Sequence, residues 1–143
     1  MGEENTVRRG LALGLLSLLM LTVVALPAMA ATRITIPLAH YDARGNDNYR
    51  QNINDEYIVF KNNTSKPIRM GGWKVNDRGG LHVYRFPQAF KLGAGKKVAL
   101  HTGKGRNGAG HLYWGQSGAV WNNDGDTVTL RSVNGVVVVR KGW

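Results

Sequence analysis

The chain has 143 residues, no cysteine, and 19 Lys and Arg against 9 Asp and Glu, a formal net charge of +10. This composition excludes disulfide staples, thiolate zinc sites and a cysteine nucleophile, so stability has to come from a core or a bound ion. A field of that sign attracts polyanions and repels other cations.

Residues 1–30 read as a secretory leader. Arg8 and Arg9 form the positive start, Leu11 to Leu26 is apolar, Pro27 breaks the run, and Ala28-Met29-Ala30 is a small-residue cleavage pattern. The run is short for a bilayer span, which takes roughly 20 apolar residues. An uncleaved anchor is the alternative. Cleavage leaves residues 31–143 as one domain, large enough for a single core. It removes Glu3, Glu4, Arg8 and Arg9, so the charge of +10 stays on a smaller body. The expected location is secreted or at the cell surface, with no membrane span after cleavage.

Arg33 to Tyr41 alternates and is rich in β-branched residues, which predicts a strand. Pro37 cannot donate to a ladder, so it marks an edge strand or a bulge. Asp42 to Asn54 is a polar loop. Asp55 to Asn62 is a strand, and Asn63 to Pro67 is a turn. The glycosylation patterns at Asn62 and Asn63 are read as turn chemistry. Ile68 to Met70 is a short strand that stops at Gly71-Gly72. Trp73 to Asn76 and Leu81 to Phe86 make a hairpin around Asp77-Arg78-Gly79-Gly80.

Phe90 to Leu92 and Lys97 to Thr102 are further extended segments. Gly103 to Gly110 is a glycine-rich basic loop, and Leu112 to Trp114 is short and apolar. Trp121-Asn122-Asn123-Asp124-Gly125 is a polar turn that feeds the strand Asp126 to Val133. Asn134-Gly135 joins it to Val136–Arg140, the strongest short hairpin signal in the chain. No window has a helical period. Strands about 8–12 residues apart with turns between them predict an all-β sandwich. Tyr57, Val59, Trp73, Val75, Phe86, Leu100, Val128 and Leu130 are the expected core.

Several residues bear on chemistry. His40, His82, His101 and His111 accompany no nucleophile elbow and no paired carboxylates in an apolar setting, so they read as surface or half-buried histidines. Asp42, Asn46, Asp47 and Asn48 offer oxygen ligands in one loop, and Asp124 and Asp126 in another. Neither matches the EF-hand spacing, and turn chemistry accounts for both without calcium. Gly103 to Gly110 lacks the Gly-Lys-Ser/Thr ending and the following helix of a Walker loop. It is either a solvated hairpin loop or an arm that lies along a polyanion. Trp114 and Trp121 either stack on bases or sugars or fill the core. Trp143 is the tryptophan expected to be partly exposed.

Ordered segments also resemble the bacterial lamin tail domain family. They are Tyr41-Asp42, Asn54 to Asn62, Pro67-Ile68 with Gly72-Trp73, Tyr84 to Pro87, Leu92 to Gly95, His101 to Gly103, Tyr113 to Gly115, and Trp121 to Asn123 with Gly125 to Thr127. The resemblance covers nearly all of 31–143 and implies an immunoglobulin-like β-sandwich. It also implies a binding module. In animal lamins the domain ends a filament protein, and similar bacterial modules occur on secreted or surface proteins, sometimes beside nucleases or other hydrolases.

This chain is more basic than that family leads one to expect, at Lys96, Lys97, Lys104, Arg106, Arg140 and Lys141. The expectation is a non-catalytic secreted module that binds an anionic envelope polymer or extracellular nucleic acid through those six residues. It needs no cofactor, metal or small-molecule substrate. The alternative is a structural or protein-partner module of the surface or matrix, whose charge serves solubility.

Overall fold

A computed structural model describes residues 33–43 and 52–143. The expected leader, 1–30, and Asn46, Asp47 and Asn48 of the polar loop lie outside the described residues. The first sheet contains β1 (Ile34–His40), β2 (Tyr57–Asn62), β7 (Lys97–His101) and β8 (His111–Tyr113), in that order. The second contains β10 (Val137–Gly142), β9 (Thr127–Arg131), β4 (Lys74–Asn76) and β5 (Val83–Arg85). A small third sheet pairs β3 (Ile68–Arg69) with β6 (Lys91–Leu92). The result is an immunoglobulin-like sandwich.

Alternation decides what is inside. Ile34, Ile58, Phe60, Val98, Leu100 and Leu112 of the first sheet meet Val75, Tyr84, Val128 and Leu130 of the second. Phe86 follows β5 and stands edge-on to Phe60 at 5.9 Å and to Tyr84 at 5.3 Å. Burying each such side chain stabilises the fold by about 1.5–3 kcal/mol.

Two expected core residues are on the wrong face. Tyr57 and Val59 are only half-buried, while Ile58 and Phe60 are fully buried. The segment Tyr57-Ile58-Val59-Phe60 is apolar on both faces, so its period of two carries no phase. Tyr57 instead joins a rack of rings on the outer face. His40, Tyr57, His101 and Tyr113 lie opposite one another across four strands, with centroids 5.1, 5.3 and 5.0 Å apart. Trp73 packs at the margin of the core and is also half-buried.

Pro37 fulfils both of its expected roles. Strand β1 is an edge, and its register with β2 shifts between Thr35 and Leu38. The hairpin at Asn134-Gly135 forms as expected, with Gly135 N donating to Ser132 O at 3.0 Å. Gly135 has φ +80°, and no described non-glycine residue has positive φ. Asn134 is therefore not left-handed, and the turn is not the primed type that needs two such residues.

Three features were not anticipated. A 3-10 turn, Ile53–Asp55, stands where the strand of β2 was expected to begin. Leu81 and His82 remain in the turn, and β5 starts only at Val83. Strand β8 runs parallel to β7, because the glycine-rich loop carries the chain back along the sheet. That loop is packed at two of its glycines: a Cβ on Gly103 would overlap Ile53 and Asn54, and one on Gly105 would overlap the Tyr113 ring.

Buried polar groups tie distant turns together. Glu56 is fully buried, and its carboxylate accepts from Trp121 N at 2.5 Å and from Val120 N at 3.2 Å. Asn62 is also buried and donates to Lys66 O, Leu92 O and Gly93 O, while its Oδ1 accepts from Thr64. Its amide is thus consumed by the turn, as the turn reading required. Asp126 accepts from Arg78 N, Thr127 N and Asn122 N.

Candidate polyanion-binding surface

Strand direction sorts the charges in this molecule. Strands β1, β4, β7 and β10 begin at one end of the sandwich, where β2, β5 and β9 finish. A groove lined by Arg33, Ile34, Ile68, Trp73 and Val138 joins the two sheets there. We call this the hairpin end, after the β9–β10 turn. On the first sheet it carries Arg33, Lys61, Lys96 and Lys97, with Lys61 directly opposite Lys97. On the second it carries Arg131, Lys74 and Arg85, in register across three adjacent strands. In the small sheet Arg69 faces Lys91.

All the described carboxylates are at the other end. Asp42 follows β1, Asp55 and Glu56 precede β2, Asp77 follows β4, and Asp124 and Asp126 precede β9. Among the described residues the one ion pair, His82 Nδ1 with Asp77 Oδ2 at 2.8 Å, is also there. No cation of the hairpin end is paired with a described carboxylate. Arg131 donates instead to Gly135 O at 3.0 Å and Arg85 to Gly72 O at 3.4 Å. Like charges directly opposite on neighbouring strands are destabilising. The fold therefore carries a cost here that a bound anion would relieve.

One cleft of about 250 Å³ lies on the outer face of the second sheet. Arg78, Arg131 and Arg140 line it, with Thr127, Thr129 and Asn76 between them. Guanidinium groups, hydroxyls and an amide offer donors suited to phosphate or carboxylate oxygens.

The six residues expected from sequence do not form one site. Lys96 and Lys97 belong to the hairpin end. Lys104 and Arg106 lie beyond the opposite end of β7, whose five residues, Lys97 to His101, span about 13 Å. Arg140 lines the cleft, but Lys141 is opposite Val128 and points to the other face. Adjacent residues of a strand cannot share a face. Sequence reasoning missed Lys74, Arg85 and Arg131, which face one another only after the strands pair. Their outward phase was readable, since each alternates with a core residue: Val75, Tyr84 or Leu130.

The other expected candidates have local explanations. Trp121 is in the core, and half-buried Trp114 stands edge-on to it at 5.9 Å. Trp114 also packs against Tyr84 at 5.7 Å. Trp143 is half-buried, stacked on Tyr41 at 4.6 Å, and donates from Nε1 to Asn122 O. His101 Nδ1 donates to Asn54 O at 2.7 Å, and its Nε2 meets His111 Nδ1 at 2.9 Å. His40 Nδ1 donates to Asp55 O. Among the described residues no group of three His, Asp or Glu is placed to hold a metal ion, and no helix is long and apolar enough to cross a membrane.

Burial pushes the Tyr84 phenol up to about 12, and its hydroxyl has no partner. It lies in the core, on the face of β5 opposite to its neighbour Arg85.

A family model described as Lamin Tail Domain matches residues 27–143. No curated protein matches the chain.

Proposed function

Since the chain belongs to the lamin tail domain family, we propose that it is a non-catalytic, exported binding module that associates electrostatically with an anionic polymer. The polymer is one of the cell envelope or extracellular nucleic acid. The observation that carries this reading is the segregation of charge, with cations and no described carboxylate at the hairpin end. Field lines from such an end concentrate polyanions around it, and binding releases their counterions. The Arg78, Arg131 and Arg140 cleft supplies a place for one anionic group of the chain.

The test is association with duplex DNA and with a purified anionic wall polymer across a salt series. Binding should weaken steeply as salt rises, and each lost contact should reduce the log–log slope by about one. Arg131→Gln with Lys74→Gln should lower that slope, and Lys104→Gln with Arg106→Gln should leave it nearly unchanged. A chain that ignores both polymers at low salt would refute the proposal.

The alternative is a structural or protein-partner module. It draws on the exposed valines Val133, Val136 and Val137, and it predicts capture of a specific protein that survives high salt.

A further inference from the structure

The valines ask for a partner that a polyanion is not. Val133 is 63% exposed, Val136 65% and Val137 39%, and all three sit at or beside the tip of the β9–β10 hairpin. They do not stand alone. Val133 approaches the backbone of Gly72, and Val138, next in the chain after Val137, lines the groove with Ile34, Ile68 and Trp73. The apolar tip and the apolar groove thus occupy one end of the sandwich. It is the end that gathers the cations: Val137 is directly opposite Arg131, which is opposite Lys74, which is opposite Arg85.

We infer that the hairpin end docks on an anionic phospholipid bilayer, with the valine tip in the acyl boundary and the cation row at the headgroups. This rests on the electrostatic reading above and goes beyond it. Cations attract any polyanion, whereas exposed valines gain only where water is removed from them. A short apolar projection ringed by Lys and Arg combines the two terms that hold proteins at an anionic membrane surface. The order of the groups also fits, since Val133 and Val136 lie beyond Arg131, the last cation of β9, Val137 is level with it, and the described carboxylates are at the far end.

The chain lacks cysteine, so a single one can be placed at will. The full chain carrying Val136→Cys is labelled with an environment-sensitive nitrobenzoxadiazole dye, and Leu81→Cys at the carboxylate end serves as reference. Each is mixed with phosphatidylcholine vesicles with and without phosphatidylglycerol. The expected result is a blue shift at position 136 with phosphatidylglycerol only, and none at position 81. Replacing Val133 and Val137 by Ser in the labelled chain should weaken vesicle association roughly ten- to a hundredfold. The same replacement should leave polymer binding unchanged. A dye at 136 that stays aqueous on every vesicle, or a response equal at both positions, overturns the inference. If that happens while salt-sensitive polymer binding persists, the polymer reading stands alone. If neither vesicle nor polymer binds, both fail. Salt-resistant capture of a protein through Val136, with no dye shift on vesicles, would overturn the bilayer in favour of a protein partner.

Discussion

Removing the Glu56 carboxylate tests how the fold holds the turn that leads into β9. Glu56 has no exposed surface, and its oxygens accept from the backbone of Val120 and Trp121. Glu56→Ala leaves two amides without that acceptor in a buried site. An orphaned buried donor costs about 1–3 kcal/mol, and bonds to a charged acceptor lie at the upper end. Two of them come to about 2–6 kcal/mol, a large part of the 5–15 kcal/mol that a domain typically has. At about 4–8 °C per kcal/mol for a domain near this size, the melting midpoint should fall by at least about 8 °C. Glu56→Gln keeps the shape and one acceptor oxygen, and should lose about half as much. Denaturant unfolding followed by tryptophan emission gives both numbers, and the m-value shows whether the transition stays two-state. A loss under about 1 kcal/mol for Glu56→Ala would refute the claim that this carboxylate anchors the turn.

Tyr84 supplies a pH prediction. Its phenol titrates near 12 in the fold and near 10 when unfolded, because burial disfavours the phenolate. Above pH 10 the unfolded chain loses the proton first, so stability falls as pH rises from 10 to about 12, by about 2–3 kcal/mol. Tyr84→Phe should flatten that part of the curve and be close to neutral at pH 7, since the hydroxyl it removes has no partner. Lys74→Gln should stabilise the protein at low salt, because it relieves two like-charge contacts at about 0.2–1 kcal/mol each, and the gain should vanish in high salt. Gly105→Ala should cost about 1–3 kcal/mol through its clash with Tyr113, and most of that loss should disappear in a Tyr113→Ala background.

Local chemistry made much of this protein legible in its sequence. Pro37 announced an edge or a bulge, Asn134-Gly135 a hairpin, and the Asn and Asp around Trp121 a self-bonded turn, because each depends on neighbours a few residues away. The alternation in Thr127 to Arg131 put Val128 and Leu130 in the core, where they are. Where both faces of a strand are apolar, as at Tyr57 to Phe60, alternation has no phase, and only packing against the second sheet chose Ile58 and Phe60 for the core. Lys104 and Arg106 stood out because glycines surround them, yet they follow β7 at the end away from Lys96 and Lys97.

The row Arg85, Lys74 and Arg131 was not legible, because it joins segments far apart in the chain through strand register alone. The same holds for the charge segregation and for the valines beside it. Composition determined that the protein is strongly basic. Only the antiparallel folding back of its strands, which places the start of one beside the finish of the next, decided that the positive charge and the exposed apolar tip share one end.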